Sequence, residues 1–168
     1  MSNTSKSLKT PLSASDAYRI GDRDERPWGH YVVTSVGKNT NGEEYCEKII
    51  TVRPGQALSL QSHQLRRETW IVKKGVLTVI VDGKSFQAPS GGAIHIPQGS
   101  IHCMANLGHE DCVVEEKQEG ICREEDIERF ADSYNRDTKT LATPSAAKNI
   151  SAYKSILAEI EKNRLRKT

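Results

Sequence analysis

The chain is poor in aromatic residues and has no bias toward one sign of charge. Aromatics make up 5% of its 168 residues, with only two Phe and two Trp. Lys and Arg number 24 against 22 Asp and Glu, a net charge of +2. A balance this close supplies no general electrostatic pull toward nucleic acid or an anionic membrane, and it excludes functions that rest on charge alone. No apolar run approaches the roughly 20 residues needed to span a bilayer. The stretch Met1–Ser15 is rich in Ser, Thr and Lys and lacks an apolar h-region, so it does not read as a secretory signal. The four cysteines, Cys46, Cys103, Cys112 and Cys122, have no CxxC spacing. They read as reduced thiols of a cytoplasmic protein and not as a disulfide frame.

What is present is apolar material for one core, a hydrophobic share of 36% before Gly is counted. Residues 1–24 are polar with little periodicity and are expected to form an arm, either loose or paired with a partner. From residue 25 to 136 short runs rich in Val, Ile and Thr recur between Gly and Pro punctuation. They are Tyr31–Ser35, Cys46–Val52, Ala57–His63, Thr69–Lys73, Val76–Val81, Ala93–Ile96, His102–Asn106 and Asp111–Glu116. Asp82-Gly83 after one of them predicts a tight hairpin. Many short strands predict an all-β sandwich or barrel. Ile127 and Phe130, three apart, predict a short helix over Arg123–Asp132. Residues 137–168 are expected to be a linker followed by a helix. Ile150, Tyr153, Ile156, Leu157 and Ile160 form its apolar stripe, and Asn149 or Ser151 would cap it. The stripe and the arm are offered to a second copy of the chain, and a homodimer is expected.

The densest chemical signal lies between Gly55 and Gly75. Gln61 and His63 are two apart in a strand-like run, and side chains at i and i+2 share a face. Glu68 opens the next run, and His102 begins another just after the Pro97-Gln98-Gly99 turn. An amide carbonyl, a carboxylate and two imidazoles form a mixed oxygen and nitrogen set. Such a set suits a borderline or harder divalent ion, Zn first and Mn, Co, Fe or Ni as alternatives. A lone His in a strand is also a common structural residue, so the spacing by itself leaves both readings open.

These residues resemble the two motifs of the cupin superfamily. Gly55, Gln61-Ser62-His63, Glu68 and Gly75 stand in the register of the first, with Gln in the first His position. Gly91, Pro97-Gln98-Gly99, His102 and Asn106 stand in the register of the second. The resemblance implies a cupin β-barrel, a double-stranded β-helix, holding a divalent metal with Gln61, His63, Glu68 and His102. A narrower resemblance rests on Arg26-Pro27-Trp28-Gly29, Leu58-Ser59-Leu60-Gln61, Arg66, Glu68, Trp70 and the closing run from Gly120 to Arg136. The chain is similar there to type II phosphomannose isomerases, including the C-terminal domains of bifunctional mannose-1-phosphate guanylyltransferase/isomerases. This implies interconversion of mannose 6-phosphate and fructose 6-phosphate and no nucleotidyl transfer.

The family's important active-site arginine falls on Arg66. As a permanent cation Arg66 suits an enediolate or a phosphate and is a poor proton acceptor. Lys48 is the next candidate, for phosphate or proton shuttling, and Arg129 and Arg136 are candidates for the phosphate. The chain carries Gln64, Leu65, Thr69 and Cys103 where the family tends to have basic or proton-transferring residues, at positions expected near the pocket. A metal cupin of another activity, binding an anionic sugar or a small oxyacid, is the alternative reading.

Overall fold

The protein, seen here as a computed structural model, is described over residues 17–139 and 143–166. Most of the expected arm therefore lies outside the described residues. Twelve strands and one helix follow in chain order. The strands are β1 Arg23–Arg26, β2 Gly29–Lys38, β3 Glu44–Val52, β4 Gln56–Ala57, β5 Leu60–Ser62 and β6 Arg66–Lys74. There follow β7 Val76–Val81, β8 Lys84–Pro89, β9 Ala93–Ile96, β10 His102–Asn106, β11 Cys112–Gly120, β12 Glu128–Ala131 and the helix α1 Pro144–Leu165. One sheet runs β1-β2-β3-β11-β6-β9 and the other β12-β5-β10-β7-β8, with β4 on β10. All pairings are antiparallel. Together they make the expected all-β cupin barrel.

The inner faces of β3, β6 and β11 show strict two-residue alternation of burial. That is the signature of strands with one face in a core. Their inward residues change character along the strand. Ile50, Val52, Trp70, Val72, Cys112 and Val114 share one apolar cluster with Leu77, Val79 and Met104. Lys48, Arg66, Glu68, Glu116 and Gln118 are equally buried and polar. Register brings the polar halves level: Glu116 pairs with Lys48, and Gln118 with Glu68. The barrel thus has an apolar floor and a polar upper half. Fully burying one such Val or Leu contributes about 1.5–3 kcal/mol, which the floor supplies many times over.

Strands β7 and β10 of the second sheet are buried on both faces. Leu77, Val79 and Met104 face the interior, whereas Ile80, Cys103 and Ala105 join Leu60 and Phe130 in a second cluster under α1. Tyr153 and Ile156 of α1 are buried there, with Ile150, Leu157 and Ile160 packed around them. The apolar stripe offered to a partner is thus packed on the chain's own barrel. Neither expected cap is used. Thr143 is the cap, its hydroxyl accepting from Ala146 N at 3.1 Å, and Pro144 fills the first turn where a missing N–H costs nothing. Asn149 lies inside the helix and is fully buried; its Oδ1 accepts from Gly83 N at 2.7 Å, tying the helix to the β7–β8 hairpin. That hairpin has the expected two-residue turn, with Asp82 and Gly83 at positive φ.

The helix expected over Arg123–Asp132 is not formed. Residues Glu128–Ala131 are β12, antiparallel to β5. Two apolar residues three apart carry a weak helical signal, and the edge of β5 offers backbone hydrogen bonds that outweigh it. Alternation then buries Phe130 under α1 and leaves Arg129 on the cavity side.

Gly120 ends β11 at φ +122°, where a Cβ would lie 2.4 Å from the Leu65 carbonyl oxygen and 2.9 Å from Arg66 Cα. A left-handed non-Gly residue costs about 1–3 kcal/mol before that clash is counted. Gly120→Ala is expected to lower the urea midpoint accordingly. An unchanged midpoint would mean that the β6–β11 ladder yields freely at this end.

Candidate metal centre

The polar half of the barrel opens into a cavity of about 60 Å³. Gln61, His63 and Glu68 line it together with Lys48, Arg66, Arg129 and Arg136. His102 reaches the same point from β10: ligand atoms of His63, Glu68 and His102 lie within 4.8 Å of one another, all three residues buried. The positions that spacing and resemblance select are thus brought to one place, by three different routes. Gln61 comes from β5 and His63 from the residue just beyond it. Glu68 points inward by the alternation of β6. His102 starts β10, directly across from Gln61.

Each imidazole is held through its far nitrogen. His63 Nδ1 lies 2.7 Å from the Asp126 carbonyl oxygen, and His102 Nδ1 lies 2.9 Å from that of Ser100. A carbonyl can only accept, so both Nδ1 atoms carry the hydrogen. In the neutral rings both Nε2 lone pairs then face the centre, as outer partners of metal-bound His commonly arrange. His63 Nε2 stands 3.1 Å from Glu68 Oε1, and His102 Nε2 stands 3.7 Å from Glu68 Oε2. His102 Nε2 is buried with no hydrogen-bond partner. Burial pulls the His102 pKa down to about 4, with the Glu68 charge opposing, so the ring is neutral at neutral pH. The unpartnered His102 Nε2 beside the Glu68 carboxylate and His63 leaves room for a cation among the three side chains. The donor set fits a divalent ion of the borderline class.

Glu68 is fixed on both sides. Trp70 Nε1 donates to its Oε2 at 3.0 Å, and Arg66 Nε approaches Oε1 at 3.4 Å. Burial opposes its ionisation, but His63, then His102 and Arg66, hold the carboxyl well below its ordinary value. Trp70 is therefore both core and support for the site. Gln61 turns its amide nitrogen toward His63 Nε2 at 3.3 Å, while Ser59 Oγ donates to its oxygen at 2.7 Å. An amide flip would present the oxygen instead, and the Ser59 hydroxyl would then accept from the nitrogen.

Arg66 is 2% exposed. Its Nη1 donates to the Arg123 carbonyl at 2.7 Å, and Nη2 lies 3.3 Å from His63 Nε2. Burial works against its charge, but Glu68 first among several anions raises its pKa, so it stays a cation. Lys48 Nζ stands over the Tyr18 ring at 3.7 Å and near the Tyr31 ring at 4.6 Å. Arg129 Nε is buried without a hydrogen-bond partner. Arg136 is gripped by Asp132, with Nη2 to Oδ1 at 2.7 Å and Nε to Oδ2 at 3.1 Å.

Several residues of the site escape sequence reasoning. Asp126 supports His63 through its carbonyl, and its carboxylate accepts from Gln64 N and Leu65 N at 3.1 and 2.9 Å. No local pattern signals such a contact across more than sixty residues. Glu116 and Gln118 continue the inward face of β11 after Val114, and polar residues in that alternating position are a signal that could have found them. Tyr18, bound through its hydroxyl to Glu124, covers the Lys48 ammonium from behind the cavity lining, next to the Ala17–Arg123 bridge. By contrast Gln64, Leu65, Thr69 and Cys103 do not line the cavity. Cys103 packs under α1, and Thr69 occupies the outward face of β6 beside His95. The expected place of Thr69 and Cys103 near the pocket is corrected by strand parity, because each is one residue away from an inward position, whereas Gln64 and Leu65 lie in the bend before β6.

The chain matches the family described as "Mannose-6-phosphate isomerase C-terminal" over residues 14–132. It is 36% identical over 120 residues to mannose-1-phosphate guanylyltransferase of Escherichia coli, covering 71% of this chain and 24% of that protein. It is 40% identical over 112 residues to alginate biosynthesis protein AlgA of Pseudomonas aeruginosa, covering 66% of this chain and 22% of that protein. The chain thus spans about a quarter of the length of these relatives. Among solved structures it resembles KdgF from Halomonas sp., with a TM-score of 0.51 at 15% identity over 61% of this chain and 86% of that one. It also resembles the oxalate decarboxylase of Lactobacillus farciminis, with a TM-score of 0.51 at 18% identity over 61% of this chain and 32% of that one. At these identities the structures speak for the fold alone. With the profile matched over most of its length, the chain belongs to the mannose-6-phosphate isomerase C-terminal family.

Proposed function

We propose that this chain is a metal-dependent aldose–ketose isomerase that interconverts mannose 6-phosphate and fructose 6-phosphate. The observation that carries this reading is the convergence of His63, Glu68 and His102, with the unpartnered His102 Nε2, on a cavity edged by cationic side chains. Gln61, His63, Glu68 and His102 would hold a divalent ion, Zn first among Zn, Mn, Co, Fe and Ni. Such an ion supplies Lewis-acid stabilisation of negative charge developing on the sugar oxygens.

The rest of the work falls to the chain's own residues. Arg66, locked by Glu68 and the Arg123 carbonyl, presents a fixed positive charge toward the same space and stabilises an enediolate by preorganised electrostatics. Arg129 is the first candidate for the phosphate, since its buried Nε has no other partner, and Lys48 and Arg136 add positive charge around it. Burial and the nearby Arg136 both lower the Arg129 pKa, and an arriving dianion would relieve that strain. A homodimer of cytoplasmic location remains part of this proposal. Among the described residues no helix is long and apolar enough to cross a membrane.

The first test is metal binding by calorimetry on chelator-stripped protein. One divalent ion per chain is expected. His102→Ala is expected to weaken it by more than the roughly 10–100-fold typical of an outer-shell change. Equal affinity in the two proteins would remove His102 from the centre. The second test is a coupled assay for fructose 6-phosphate formed from mannose 6-phosphate, with protein reloaded in turn with Zn, Mn, Co and Fe. Turnover should depend on the metal, and Arg66→Lys and Arg66→Ala should lose about 10²–10³-fold in kcat. No turnover in folded, loaded protein would sink the isomerase reading for this substrate.

A further inference from the structure

We propose that Glu116 is the carboxyl group that carries the hydrogen between C1 and C2 of the sugar, an inference that rests on the isomerase reading above. Glu116 sits at the middle of β11, on its inward face, and lines the same cavity as Gln61, His63 and Glu68. It is 6% exposed. The other carboxylates around this cavity have structural partners. Glu68 is held by Trp70 and Arg66, Asp126 by two backbone N–H groups, Glu124 by Tyr18 and Arg26, and Asp132 by Arg136. Among the described residues, the hydrogen bond to Glu116 comes from Gln118 Nε2, at 2.7 Å to Oε1. Its other oxygen carries no such bond. Lys48, its cross-strand neighbour, is not in ion-pair contact with it; the ammonium is drawn over the rings of Tyr18 and Tyr31. A buried carboxyl turned to a ligand cavity and in no ion pair among the described residues is positioned for chemistry more than for stability.

Its surroundings suit proton transfer. Burial foremost, then the charge of Glu68, pushes the Glu116 pKa up to about 8, while Lys48, Arg66 and the Gln118 hydrogen bond oppose. A proton carrier works best with a pKa near the working pH. Arg66 cannot take this part, because it stays charged.

The step balances without an oxidant or reductant. The Glu116 carboxylate takes the hydrogen from C2 of the aldose as a proton. The C2–H electron pair becomes the C1=C2 bond, and the C1 carbonyl pair moves onto O1. The O2 proton passes to O1, and the Glu116 carboxylic acid returns its proton to C1 as the C2=O2 carbonyl forms. One hydrogen has moved from C2 to C1 and one from O2 to O1.

The test uses the metal-loaded full chain and mannose 6-phosphate carrying deuterium at C2. Turnover and cleavage of the labelled bond are followed by NMR, and metal affinity by calorimetry. Glu116→Gln is expected to lower kcat by about 10²–10⁴-fold and to leave the C2 label in place, with KM and metal affinity within about threefold of wild type. Glu116→Asp should recover part of the rate. Label loss at the wild-type rate in Glu116→Gln, with wild type active, would overturn the role of Glu116 alone. A wild-type protein that neither turns over nor loses label would overturn the isomerase reading and this inference with it. Should Glu116→Gln fail to fold, Glu116→Asp decides. A reduced kcat at unchanged metal affinity supports the role, and an unchanged kcat overturns it.

Discussion

Glu116 faces Lys48 on one side of β11 and Trp70 on the other, and two residues along Gln118 faces Cys46 and Glu68. This shared register of three antiparallel strands is what the site depends on. A slip of one residue in β6 or β11 would turn Glu68, Arg66 or Glu116 to the outside and bring Thr69, Arg67 or Lys117 in. The ladder is long, running from Val52 opposite Cys112 to Tyr45 opposite Glu119. The apolar floor below it fixes the same register independently, since Ile50, Trp70 and Val114 must all face one cluster. The hydrophobic floor and the polar upper half are therefore one constraint expressed twice.

The upper half is costly. Lys48, Arg66, Glu68 and Glu116 are all buried, and each isolated charge would pay several kcal/mol for leaving water. The arrangement offsets that cost by sharing. Arg66 serves Glu68, Asp126 and the Arg123 carbonyl, and Lys48 rests on two aromatic faces. What the network leaves unmatched lies at the centre, where two imidazole lone pairs and a carboxylate converge. A protein that builds such a cluster on a well-packed floor has placed its unfavourable electrostatics where a bound cation would offset them.

Much of this was legible in the sequence, and for definable reasons. Gln61, His63, Glu68 and His102 could be grouped because turns and two-residue periodicity are local properties, and the cupin motif spacing joined the two segments. Arg66 came from the family resemblance, and the alternation of β6 places it on the same face as Glu68. The same rule, applied to Thr69 and Cys103, would have turned both away from the cavity. The β12 strand was misread because its partner, β5, lies more than sixty residues earlier. The helix cap at Thr143 was missed because Pro144 resembles a linker residue as much as a first-turn residue. Asp126 and Tyr18 act across the fold, through contacts that no window of sequence contains.

Tyr18 carries a consequence of its own. Its segment is joined to the barrel by the Ala17–Arg123 bridge, the Tyr18–Glu124 contact and the two backbone bonds between Gly21 or Asp22 and Val33. The strands beneath it are joined by full ladders. Local opening proceeds most readily where the fewest bonds must break together. Among the described residues, the segment that covers Lys48 is thus joined by fewer hydrogen bonds than β3 or β11. Its amide protons should exchange before those of β3 or β11, so Lys48 has a lightly tied cover on one side and a fixed sheet on the other.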